Sequence, residues 1–126
     1  MRLVFDSGAL IALERDDRSA WRRYKAAQRA GVVPVTHGGV VGQVWRGRGT
    51  RQARLAQVLA STEVRALDET LGRASGALLG LTGGRDVVDA ALALLAHDGD
   101  RIVTSDPDDI AELAAATGRH VEIVLA

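Results

Sequence analysis

Leu3-Val4-Phe5-Asp6-Ser7-Gly8-Ala9-Leu10-Ile11-Ala12-Leu13 decides how the rest of the chain is read. A short apolar run, long enough for a buried strand, stops at a carboxylate, and a helix-period apolar pattern follows at once. Nearly the same event recurs late, where Ile102-Val103-Thr104 runs into Ser105-Asp106-Pro107-Asp108-Asp109 and a helix begins. Two acids therefore stand at the carboxyl ends of two strands, each at a strand-to-helix turn. In an open parallel sheet that edge is where ligands bind. Between them lies Asp86-Val87-Val88-Asp89-Ala90-Ala91-Leu92, with acids three apart on one helix face. Oxygen donors of this kind, with no cysteine and only three histidines that lack ligand spacing, point to a hard cation such as magnesium.

The 126 residues, 47% of them hydrophobic, suffice for one domain over residues 1–126 with a real core. The absence of cysteine excludes disulfides and thiolate metal sites, and it fits a reducing, cytoplasmic setting. Asp6, Glu14 and Arg15 break the apolar start, so no signal peptide is expected. The longest apolar run, Val87 to Ala96, contains Asp89 and is too short for a bilayer, so no membrane partner is expected. No G-x-x-x-x-G-K-[ST] occurs, which excludes a P-loop. Net charge is zero, but the first 60 residues hold ten arginines and Lys25 against four acids. The remainder holds five arginines against twelve acids. An anionic polymer on the first half and a cation among the acids of the second would use that division; solvated charged faces are the competing reading.

Strands are expected at residues 2–5, 32–35, 63–67, 101–104 and 121–125, with helices between them. Ser7, Asp17, Thr36, Thr50 and Asp68 are the expected helix caps, and Pro107 suits a first helical turn. Strands alternating with helices or helix pairs predict an α/β fold, a three-layer α/β/α sandwich with a mostly parallel central sheet.

Three stretches together resemble one family. Val4-Phe5-Asp6-Ser7-Gly8-Ala9-Leu10-Ile11-Ala12-Leu13 looks like the opening of PIN-domain nucleases, Val88-Asp89-Ala90-Ala91-Leu92-Ala93 like their third-acid helix, and Val103-Thr104-Ser105-Asp106-Pro107-Asp108-Asp109-Ile110 like their closing threonine-acid motif. At this length the chain most resembles a VapC-type toxin of a toxin–antitoxin pair. The resemblance implies a PIN-like fold, endoribonuclease activity with Mg2+ or Mn2+, an RNA substrate, a homodimer and inhibition by a small antitoxin. Carried onto this sequence, it makes Asp6, Asp89 and Asp106 the catalytic and metal-holding acids. Asp86, on the same helix as Asp89, is a candidate fourth ligand, and Ser7 and Thr104 are candidate supporting groups beside their plain reading as cap and strand residues. Leu10, Leu13, Trp21 and Tyr24 are candidates for an antitoxin groove; that surface, or the helix of Leu55 and Leu59, would serve the dimer.

One departure matters. In Val40-Val41-Gly42-Gln43-Val44-Trp45-Arg46-Gly47, Gln43 stands where the family usually has glutamate. A glutamine carbonyl still ligates magnesium or a bound water, but it lacks the charge that holds metal tightly or draws a proton from water. The alternative function is thus a catalytically weak or inactive PIN-like module that binds RNA or protein. A phospho-acceptor fold would want a late lysine, and the sole lysine is Lys25. Arg46, Arg48 and Arg51, beside Trp45, are RNA-contact candidates, with a solvated helix face as the plain reading. Asp6 and Asp106 also suit plain capping, and Asp86, Asp108 and Asp109 suit the first helical turn, where acids are favoured. Asp89 interrupts an otherwise apolar helix, where an unpartnered carboxylate is costly, which favours a functional role over a structural one. His37, His97 and His120 are read as surface or helix-end residues.

Overall fold

The structure is a computed structural model describing residues 1–126. Strands β1 (Leu3–Phe5), β2 (Val35–His37), β3 (Glu63–Arg65), β4 (Arg101–Thr104) and β5 (Glu122–Leu125) form one parallel sheet in the order β3-β2-β1-β4-β5. Helices α1 (Ser7–Glu14) and α2 (Arg18–Arg29) connect β1 to β2, and α3 (Gly38–Val44) and α4 (Arg51–Ala60) connect β2 to β3. Helices α5 (Glu69–Thr82) and α6 (Val87–Leu95) lead from β3 to β4, and α7 (Pro107–Ala116) leads to β5.

This order places the site. The chain winds outward from β1 to β3, then returns past β1 to β4 and continues to β5. Right-handed crossovers in opposite directions put their helices on opposite faces. Accordingly α1 packs against α2, α3 and α4, while α6 packs against α5 and α7. The three-layer α/β/α architecture expected from the alternation is the one observed. The winding reverses between β1 and β4, where Leu3, Val4 and Phe5 pair with Arg101, Ile102 and Val103. A reversal of this kind opens a crevice at the carboxyl ends of the two strands, and Asp6 and Asp106 follow those ends.

Parallel strands covered on both faces bury nearly everything they carry. Leu3, Val4, Phe5, Val35, Ile102 and Val103 lie in one apolar cluster with Leu10 and Leu13 of α1, Leu55 and Val58 of α4, and Leu92 of α6. A smaller cluster joins Leu78, Ala90, Ala93 and Leu113 under α5, α6 and α7. At the amino-terminal edge, buried Asp100 accepts hydrogen bonds from the Arg2 and His97 amides and pairs with the Arg2 guanidinium. No helix is long and apolar enough to cross a membrane.

Several local expectations are corrected. Asp6, not Ser7, caps α1, accepting from the Ala9 amide at 3.0 Å. The second strand starts at Val35 rather than Val32, after Pro34, which has no N–H for the ladder. Thr36 is therefore buried within the sheet, its hydroxyl donating to the Phe5 carbonyl at 2.8 Å, and His37 caps α3 in its place. Thr50 precedes α4 but makes no side-chain cap bond. Asp17 and Asp68 cap as expected. Leu10, Leu13, Tyr24 and Leu55 belong to the core and are not available as a groove or dimer face. The Tyr24 ring packs edge-on against Trp21, with centroids 5.4 Å apart.

Candidate active site

Asp6 and Asp106 are joined through one hydroxyl. Thr104, the last residue of β4, donates to one carboxylate oxygen of Asp6 and accepts the Asp106 amide at 2.9 Å. The other Asp6 oxygen holds the first turn of α1. Asp6 is buried and aligned from both sides, while Asp106 is exposed on the loop entering α7. Gly8 makes this approach possible: a Cβ there would lie 2.3 Å from the Ser105 Oγ and 2.6 Å from its Cβ. Only a residue without a side chain lets α1 pass this close to the β4–α7 loop.

From the other face, α6 contributes two acids. Asp86 caps the helix by accepting the Asp89 amide at 3.1 Å. The carboxyl of half-buried Asp89 is pushed up to about 6, first by desolvation and then by the charges of Asp86, Asp6, Asp106 and Asp109. Asp106 is also raised, first by desolvation, then by a hydrogen bond and charge repulsion from Asp109 and by the charges of Asp108 and Asp6. Asp100 is the internal contrast. Desolvation raises it, but bonds from the His97 and Arg2 amides and the Arg2 charge outweigh that, leaving it below the usual carboxylate value. The acids around Asp89 form no such ion pair, so their mutual repulsion raises Asp89 and Asp106 instead.

The topology therefore gathers Asp6, Asp89, Asp106 and Asp86 at one sheet edge. It also adds Asp109, which the sequence reading treated as an ordinary first-turn acid. Its spacing of three from Asp106 was the available signal. A cleft of about 230 Å³ between α5, α6 and α7 is lined by Arg85, Asp86, Asp89, Asp109 and Glu112. The donor set is all oxygen, which suits a hard dication. As packed, however, no three acidic or histidine side chains are arranged to hold one ion. Asp6 is engaged with Thr104 and Ala9, and Asp86 with the α6 amide; Asp6 and Asp106 do not line the cleft, and the acids do not converge on one point.

Gln43 is exposed on α3 and, like Asp6 and Asp106, is not among the residues lining that cleft. Ser7 is the first residue of α1, beside Asp6. Arg46, Arg48 and Arg51 are exposed at the α3–α4 connection, away from the acids in sequence and on the opposite helical layer from α6.

The sequence suggests a surface or helix-end position for His37. It is at a helix end but fully buried. Its Nδ1 accepts the Gly39 amide at 3.1 Å, and its Nε2 lies 2.9 Å from the Val88 carbonyl. One acceptor and one donor position define the neutral Nε2–H tautomer. Burial lowers its pKa, and the bond to Val88 offsets this only in part. His37 thereby ties the end of β2 to the turn of α6 that carries Asp89. Nothing in its sequence spacing marks that contact.

No family model matches the chain, and no curated protein matches it. Among solved structures, it is similar to a chain in the crystal structure of VapBC2 from Rickettsia felis bound to a DNA fragment from their promoter. The TM-score is 0.68 at 14% identity, covering 98% of each chain. At that identity the likeness establishes the fold.

Proposed function

We propose that this chain is a metal-dependent endoribonuclease that hydrolyses RNA phosphodiester bonds, acting in the cytoplasm as the toxin of a toxin–antitoxin pair. The observation that carries the reading is Asp89, raised to about 6 among Asp6, Asp86, Asp106 and Asp109 at the switch point of a parallel sheet. Acids this strongly opposed, none of them in an ion pair, form a site suited to a bound cation. Asp6, Asp89 and Asp106 would hold Mg2+ or Mn2+, with Asp86 beside them; the ion would activate water and neutralise charge developing on phosphate. The chain's own residues do the positioning. Thr104 fixes Asp6 and the Asp106 backbone, Asp86 fixes the first turn of α6, and Gly8 lets the two strand-to-helix turns close together. Exposed Asp106 and half-buried Asp89 have room to swing inward.

The likeness of fold to a chain of a VapBC2 assembly supports a small antitoxin as partner; a homodimer is part of the same proposal. The test is cleavage of RNA with magnesium or manganese, with EDTA and Asp6→Asn as controls. Metal-dependent cutting abolished by both controls is expected; cutting that survives either one overturns the assignment.

A second reading is a PIN-like module that binds RNA or protein without cutting. Two observations favour it: exposed, neutral Gln43, and acids that do not converge as packed. Gln43→Glu separates the readings. Metal affinity and cleavage should rise together if charge at that position limits an active site, and neither should change if Gln43 stands outside it.

A further inference from the structure

The connection between α3 and α4 is built with more care than a solvated loop requires. Gln52, buried on α4, accepts two successive backbone amides of that turn through its Oε1, from Arg46 at 2.8 Å and Gly47 at 3.1 Å. Its Nε2 donates to the Glu14 carboxylate and, at 3.4 Å, to the Val44 carbonyl. A buried side-chain amide with all these partners is a rigid anchor. Gly47 and Gly49 adopt left-handed φ values of 75° and 94°, which fold the turn back on itself.

The anchor presents an aromatic ring to solvent. Trp45 is 41% exposed, and its Nε1 lies 3.6 Å from where a Cβ of Gly47 would be. The indole thus sits beside the bare glycine with no side chain over that flank. Arg46 donates to the Gly42 and Trp45 carbonyls and closes the end of α3. Arg48 and Arg51 are exposed and take part in none of the ion pairs of the structure. Arg2 alone among the eleven basic residues of the first 60 does so. The positive half of the chain is therefore left uncompensated. An exposed indole on an anchored backbone, with two free guanidinium groups, offers one flat apolar surface and two anion donors. That combination matches a base and its neighbouring phosphates.

We propose that the α3–α4 turn is a binding platform for single-stranded RNA, with Trp45 stacking a base and Arg48 and Arg51 taking adjacent phosphates. The choice of RNA rests on the ribonuclease reading. The platform stands apart from the acids. Helix α3 begins at the same sheet edge and is seven residues long, so the turn lies about 10 Å along the helix from that edge at ~1.5 Å per residue. A strand held at both places would thread from arginines to acids, in the direction of the chain's charge division.

The test is fluorescence anisotropy of a labelled single-stranded RNA of mixed sequence in EDTA, so that binding is read without cleavage. Trp45→Ala should weaken binding roughly tenfold, as loss of one stacked base does, and Trp45→Phe should restore most of it. The Arg48→Gln/Arg51→Gln double variant should reduce the slope of log affinity against log salt by about 1.4, at roughly 0.7 per phosphate contact on a single strand. Gln52→Leu, checked for folding by circular dichroism, should lose affinity although it leaves every RNA-facing group in place. Unchanged affinity in both the Trp45→Ala and the double arginine variant overturns the platform, as does a wild-type chain that binds only duplex. Cleavage with an unchanged KM in those variants removes the platform and leaves the nuclease. Binding through them with no cleavage under any metal removes the nuclease and leaves the platform.

Discussion

The Thr104 hydroxyl donates to Asp6, and the same oxygen accepts the amide of Asp106. One buried side chain thus orients an acid on β1 and the loop carrying an acid after β4. Thr104→Val keeps the shape and removes the hydroxyl, leaving buried Asp6 and the Asp106 amide each short of one partner. The expected cost is about 1–3 kcal/mol in urea unfolding, with a larger proportional loss of any metal-dependent cleavage. Thr104→Ser should recover both. A valine variant with full cleavage would show that this hydroxyl does not organise the site.

Asp89 makes a prediction whose sign is opposite to that of an ordinary salt-bridged acid. Its carboxyl is raised from 3.8 to about 6 in the fold. The folded chain then binds the proton more tightly than the unfolded one, and stability falls as pH rises between those values. At pH 7 the ionised group is a burden of roughly 1–2 kcal/mol after allowance for solvent screening of a half-exposed site. Asp89→Asn should raise the melting temperature at pH 7 in EDTA and change it little at pH 4. Magnesium should stabilise the wild type through mass action and stabilise the variant less. A variant less stable than wild type at pH 7 would mean that Asp89 is a supported structural acid.

The alternation of strands with helices was legible because buried parallel strands are short apolar runs, and because Gly31, Gly83, Gly99 and Gly118 punctuate the chain after helices in left-handed conformations; the strand order β3-β2-β1-β4-β5 was not. The acids at the strand ends were legible for the same reason: Phe5-Asp6 and Thr104-Ser105-Asp106 break an apolar pattern abruptly. What could not be read were contacts made across the sheet. The extra turn of extended chain that moved the second strand to Val35–His37 depends on pairing with Glu63 to Arg65. Gln52 looks like any polar residue on an amphipathic helix until α1 brings Glu14 to it. Asp109 carries only its spacing of three from Asp106 as a signal, and that spacing equally suits a helix-dipole acid until α6 brings Asp89 near it.

Gly8 should be the least replaceable residue of the opening motif that is not an acid. A methyl at this position would meet the Ser105 side chain at 2.3 Å and its amide nitrogen at 3.0 Å. Relief requires moving either α1 or the β4–α7 loop, and both carry site acids. Gly8→Ala should destabilise by about 1–3 kcal/mol through overpacking, despite the better helix propensity of alanine. The Gly8→Ala/Ser105→Gly double variant should regain part of that loss, because it removes the opposing Oγ and Cβ. An alanine variant as stable as wild type would show that the loop yields freely.

His37 acts at a distance from solvent on the same acids. Its ring joins the Gly39 amide in the first turn of α3 to the Val88 carbonyl one residue before Asp89. Burial lowers its pKa below the usual imidazole value of 6.5. The unfolded chain therefore binds the proton more tightly, and stability should fall as pH drops below about 6.5, opposite in direction to the Asp89 contribution. The two overlap in wild type between pH 4 and 6.5 and separate by mutation: Asp89→Asn should expose the acid sensitivity of His37, and His37→Asn should remove it. His37→Leu should cost about 1–3 kcal/mol by leaving buried polar groups unpaired. It should also free the first turn of α6, seen as faster amide exchange at Asp89 and Ala90 than at Leu92. Should His37→Leu leave exchange at Asp89 untouched while lowering global stability, the histidine holds the core alone and does not set the position of the acid.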